Sequence, residues 1–195
     1  GARLLQDLVG PLNYRAAAYQ IAAPGSFDFE DASIDQPPAK LRPSGPHLTV
    51  MTLNAFNLDP QVERADRVND PGRDIDDDIG DGRYRALARA VVHRAATPDI
   101  VALQEMQDDD GAELSSQTSA RHNYEVLIQA IQREGGPRYE WVDLPPVAGA
   151  DGGQPGGNIR NAFLFHPRRV ELIQGSVRRL GVDDPAFVDS RKPLV

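Results

Sequence analysis

The order of apolar patterns along the chain predicts an α/β fold with a mixed sheet. Three observations carry the prediction. Residues 47 to 54 and 99 to 105 are compact apolar runs with the length and β-branched content of buried strands. Residues 83 to 96 and 124 to 131 repeat apolar side chains at helical spacing. Several short strand patterns then follow one another with no helix between them.

Each element has its own reason. Residues 10 to 14 and 18 to 22 place strand-type residues around turn formers, which predicts short β segments. Residues 23 to 46 are rich in Pro, Gly, Ser and Asp and predict a linker or extended wrap. "HLTVMTLN" predicts a buried strand ending at Asn54, followed by a polar loop to Gly82. Tyr84, Leu87, Ala88, Val91, Val92 and Ala95 form the apolar stripe of a helix over 83 to 96. Asp81 is its expected N-cap, and Thr97-Pro98 should end it. "DIVALQE" is a second buried strand whose far end carries Glu105. Tyr124, Leu127, Ile128 and Ile131 predict a second helix, stopped by Gly135-Gly136-Pro137. Residues 138 to 144 predict a third strand, and the Gly-rich stretch 145 to 157 a mobile loop. "NAFLFHP" and "RVELIQ" predict two strands around a turn at Pro167-Arg168, and "DSRKPLV" the start of another.

Composition narrows the chemistry. The chain of 195 residues has a formal net charge of −8, which argues against gripping nucleic acid through bulk positive charge. A local basic groove remains compatible with it, and Arg160, Arg168, Arg169, Arg178 and Arg179 are candidates to line one. There is no cysteine, so disulfides, thiolate metal sites and cysteine nucleophiles are excluded. No apolar stretch approaches the length of a membrane span.

Two polar side chains stand where buried strands end: Asn54 after "VMTL" and Glu105 after "VALQ". If those strands are neighbours, an amide oxygen and a carboxylate share one rim. These are hard oxygen ligands of the kind Mg²⁺ or Mn²⁺ prefers. The same residues also suit a turn cap and a solvated strand-end charge. His47, His93, His122 and His166 match no metal-ligand spacing and are expected to be structural. The run "DIDDDIGDG", residues 74 to 82, fails the EF-hand template but could hold Ca²⁺ loosely; most such runs are solvated.

"VMTLNAFNL" followed by "PDIVALQE", "NAFLFHPRRVEL" and "DSRKPLV" resembles, in that order, the motifs of the endonuclease/exonuclease/phosphatase superfamily. "VGPLNYRAAAYQI", residues 9 to 21, is similar to a segment preceding the nuclease domain of large secreted bacterial nucleases. The resemblance implies a DNase I-like four-layer αββα sandwich, incomplete in this chain. It implies a β-rich tail or strap over 1 to 22, a linker over 23 to 46, and the N-terminal half of the domain over 47 to 195. It implies a secreted or periplasmic, divalent-metal-dependent nuclease acting on DNA or RNA. Glu105 matches the family's metal-binding glutamate, Asn54 the asparagine supporting metal and phosphate, and Arg191 an arginine near the substrate phosphate. Arg160 is a further candidate for substrate binding. Phosphatase or sphingomyelinase-like activity, or a non-catalytic binding module on the same fold, are the alternatives. Ile159 stands where a family acid is expected, and the motifs of the second half, including the water-activating Asp, are not found. The chain by itself is therefore expected to be inactive.

Overall fold

The computed structural model describes residues 2–26, 28–31, 37–151 and 153–195. The chain divides into two compact units between Pro37 and Pro38, inside the segment expected to be a linker. In the first unit, β1 (Ala2–Leu4) pairs antiparallel with β4 (Phe29–Asp31), and β2 (Leu12–Arg15) with β3 (Ala18–Ile21). The β2–β3 hairpin matches the short β segments expected there. Its turn residues, Ala16 and Ala17, both take left-handed backbone, as a tight hairpin requires. A short strand at 29–31 lies within the stretch expected to be a linker or extended wrap; residues 27 and 32–36 of that stretch lie outside the described residues.

The second unit is mixed α/β. Its elements are β5 (Val50–Leu58), α1 (Arg83–Arg89, continued by a π-type turn over Ala90–Arg94), β6 (Ile100–Met106), α2 (Arg121–Arg133), β7 (Glu140–Asp143) and β8 (Arg160–Phe165). The sheet order is β5-β6-β8-β7. β5 and β6 run parallel, and β8 is antiparallel to both its neighbours. Both helices pack on one face. Tyr84, Ala88 and Val91 from α1 and its extension join Tyr124, Leu127, Ile128 and Ile131 from α2 in one core with Val101, Leu103, Ala162 and Leu164. Burying each large side chain there contributes roughly 1.5–3 kcal/mol. The opposite face carries Val50, Thr52, Asn54, Ala102, Gln104 and Phe163, among which Val50, Thr52 and Asn54 are exposed.

Three expectations change. The first helix begins after Gly82, which takes left-handed backbone and offers no side-chain cap, so Asp81 does not fill that role. β5 does not end at Asn54; it continues to Leu58 through an irregular stretch. Residues 169 to 174 form no strand. β8 is already flanked by β6 and β7, so neither of its edges is free for a hairpin partner. Among the described residues of the Gly-rich loop, expected to be mobile, Gln154 bonds to Asn57, Gln107 and Asp74, and Gly149 donates to Asn158.

Candidate functional site

The parallel register aligns Asn54 with Gln104, and the next matched pair is Leu58 with Met106. Three residues of β5, Ala55 to Asn57, therefore lie opposite Glu105 alone. On its other side, β6 spends two residues, Gln104 and Glu105, against the single Asn161 of β8. Both parallel strands thus bulge at the same level, near their C-terminal ends. Three non-glycine residues in these bulges take left-handed backbone: Phe56 at φ 61°, Asn57 at φ 57° and Glu105 at φ 55°. Such conformations cost about 1–3 kcal/mol each and persist only where the surroundings over-determine them.

The Glu105 bulge resets the phase of the strand. Val101 and Leu103 face the helices, and so does Met106, three residues beyond Leu103 rather than two or four. The extra residue lets Glu105 leave the core side, where an unpaired carboxylate would be costly. Glu105 is half-buried, and its carboxylate makes no hydrogen bond or ion pair among the described residues. Asn54 is exposed, and its Oδ1 accepts the Phe56 N–H at 2.7 Å, leaving one lone pair on that oxygen. The strand-end cap and the candidate ligand are therefore the same atom in two uses.

Two side chains absent from the sequence expectations hold this rim. Arg83, at the start of α1, donates to the carbonyls of Ala55, at 2.9 Å, and Phe56, and lies over the Phe56 ring. It also pairs with Asp78 and, at 3.5 Å, with Asp76. Asn123 on α2 is fully buried; its Nδ2 donates to the Leu58 and Gln107 carbonyls, just past the two bulges, and its Oδ1 accepts the Tyr84 hydroxyl at 2.8 Å. Helix residues thus satisfy the backbone groups that the irregular strands leave over.

The two arginines differ. The Asn161 Nδ2, across from the Glu105 bulge, donates to the Lys192 carbonyl at 3.0 Å, which brings the segment holding Arg191 to that end of the sheet. Arg191 makes no ion pair among the described residues, so its guanidinium is unspent. It lines, with Arg179 and Lys192, a cavity of about 10 Å³. That volume suits a single water and is too small for a phosphate. Arg160 is buried, and its guanidinium is committed to Asp143 at 3.2 Å and to the carbonyls of Thr118 and Asn158. Four of its five N–H groups are engaged in this way and the residue is buried; its role here is to join β8, β7 and the loop before α2.

Beside the rim, Asp59, Glu63 and Asp76 bring carboxylate oxygens within 4.8 Å of one another, a group able to hold a metal ion. Asp76 belongs to the acidic run; Asp59 and Glu63 come from the loop just after β5. Backbone N–H groups already aim at them: Gln61 at Asp59, and Ala112 and Asp76 at Glu63. Burial, then the Glu63 charge, pushes the Asp59 carboxyl up to about 8, and burial raises Glu63 and Asp76 as well. Gly111 permits the close fit, since a Cβ there would lie 2.4 Å from Glu63 Oε1. The acidic run singled out as a loose Ca²⁺ site supplies Asp76; Asp59 and Glu63 were signalled in the sequence only by their i, i+4 spacing in "NLDPQVE", which no template selects.

No family model, curated protein or solved structure matches this chain. Among the described residues, no helix is long and apolar enough to cross a membrane.

Proposed function

We propose that this chain carries the metal-binding rim of a divalent-metal-dependent phosphodiesterase, a secreted nuclease acting on DNA or RNA, built on a DNase I-like sandwich. The observation that carries the reading is the paired bulge, which sets Glu105 beside the parallel partner of Asn54 and leaves its carboxylate without a protein partner. Ligand sites in α/β sheets favour the carboxyl ends of strands. A free carboxylate and an amide oxygen are a hard-oxygen donor set of the size Mg²⁺ uses when water and phosphate complete its octahedron. Such an ion, once bound, stabilises negative charge on a phosphoryl or leaving oxygen. Glu105 would anchor it and Asn54 would orient it; the cavity lined by Arg191 is too small to hold the phosphate.

Turnover is proposed for the protein and not for residues 1–195 alone, because none of these residues is assigned to activate water. The test therefore reads binding as well as cleavage. Mn²⁺ titrated into this chain should saturate a site that Glu105→Gln weakens at least about tenfold, a loss of ~1.4 kcal/mol. In the protein with its complete nuclease domain, plasmid nicking should need Mg²⁺, stop with EDTA, and fall in Glu105→Gln by two orders of magnitude or more. Wild-type Mn²⁺ affinity in Glu105→Gln would remove the basis of this reading.

A further inference from the structure

The loop after β6, "QDDDG", holds three adjacent acids that the structure treats differently. Asp109 faces α2: its carboxylate accepts the Asn123 N–H at 3.0 Å and the Ser119 hydroxyl at 3.0 Å, close to the start of that helix. Asp108 has no exposed surface. Its Oδ2 accepts from Asn158 Nδ2 at 2.8 Å, while its Oδ1 is buried with no partner. The Asp110 Oδ1 is likewise buried with no partner, and its carboxyl lies within hydrogen-bonding reach of Asp108. Gln107, 1 % exposed, leaves its Oε1 in the same condition. Its amide orientation is set by Gln154, whose own NH₂ is taken by Asp74 and whose oxygen accepts from Gln107. Among the described residues, these three oxygens are the only buried side-chain polar atoms without a partner, and all three are acceptors.

Two carboxylate oxygens facing each other out of water need a proton or a cation between them. Among the described residues no side-chain donor reaches either oxygen. Arg160, the cation that acts on Asp108, gives four of its five N–H groups to Asp143, Thr118 and Asn158. Asn158 gives its NH₂ to Asp108, Gln117 and Gly156 and takes left-handed backbone to do so. Asn158 and Gln154 thus fix the groups around two orphaned carboxylate oxygens that lie within hydrogen-bonding reach of each other. We propose that Asp108 and Asp110 bind a hard divalent cation of the Ca²⁺ type, at a site separate from the Glu105 rim and from the Asp59–Glu63–Asp76 group. Six to eight oxygen ligands and tolerant geometry suit Ca²⁺ to a site that mixes carboxylates with water and carbonyls. The ion would neutralise the loop that leads from β6 to α2 and so stiffen the segment next to Glu105.

The proposal is independent of the nuclease reading. Equilibrium dialysis of the whole chain against Ca²⁺ at neutral pH gives the bound stoichiometry. Asp110→Asn should lose one equivalent relative to wild type, together with its share of the Ca²⁺-induced rise in melting temperature. Glu105→Gln and Glu63→Gln should each keep that equivalent. Because Asp108→Asn risks misfolding, the wild-type chain provides a second measurement: the carboxyl carbon resonances of Asp108 and Asp110 should shift together and saturate with Ca²⁺. Full wild-type stoichiometry in Asp110→Asn, or carboxyl resonances that Ca²⁺ leaves in place as a proton-sharing pair, would overturn the site.

Discussion

Glu105 combines an unfavourable backbone with an unspent carboxylate. A left-handed conformation costs roughly 1–2 kcal/mol for a residue with a Cβ, and glycine's extra chain entropy returns part of that. Glu105→Gly should therefore raise the unfolding free energy by about 0.5–1 kcal/mol in urea titration while removing Mn²⁺ binding. Glu105→Gln, which keeps the Cβ, should leave stability near wild type. A glycine variant less stable than wild type would mean that the carboxylate stabilises the fold, and not a ligand. The residue's identity was legible in the sequence, since a carboxylate at the end of an apolar run is unusual. Its conformation was not, because nothing in "LQEMQ" contains the glycine or asparagine that signals positive φ.

At the scale of elements, α2 and β6 were legible because their apolar spacing is regular and both ends carry strong punctuation. β5 beyond Asn54 was hidden: its bulge uses Phe56 and Asn57, and what holds it is Arg83, distant in sequence. The hairpin expected after β8 failed for a topological reason that no local pattern contains, since β7 occupies that edge. Arg160 shows the same limit. An arginine between Asn158 and Asn161 looks free in one dimension, yet it is 3 % exposed and clamps β8 to Asp143 on β7. Removing one member of a buried pair strands the other charge and costs about 3–5 kcal/mol. Arg160→Ala should lower the unfolding free energy by about 3 kcal/mol, read by urea titration. A near-neutral substitution would return Arg160 to the list of groove residues.

At the scale of the whole molecule, several buried carboxyls hold their protons to unusually high pH. Burial, the leading cause in each case, raises Asp59 and Asp108 to about 8 and Asp78 to about 6. Unfolded aspartates titrate near about 4. Between those limits the native state holds more protons than the unfolded one, so stability falls as pH rises through that window. Asp99 acts in the other direction. Burial would raise it, but the Arg169 guanidinium and the Thr49 N–H and hydroxyl prevail and lower it. Its contribution is present above the unfolded value and is lost as pH falls through the depressed one. The chain stripped of metal should therefore melt highest on the acid side of neutrality, near pH ~5, and lose melting temperature toward pH 8. Added Ca²⁺ should flatten that decline, because a cation favours the ionised carboxylates. A melting temperature that climbs from pH 5 to 8 in chelator would contradict the burial argument. The class of the fold was readable from the order of patterns; this set of buried acids was not, because its members come from two separate loops.

The bulge in β6 has an evolutionary corollary. Without Glu105, Leu103, Gln104 and Met106 would run in strict alternation, and Gln104 would meet Asn161 one to one along β8. The hydrophobic interior is thus already in phase for a strand one codon shorter. Glu105 is a spare letter in the sentence the core reads, so the loss or gain of that codon can switch the rim's chemistry while the architecture stands.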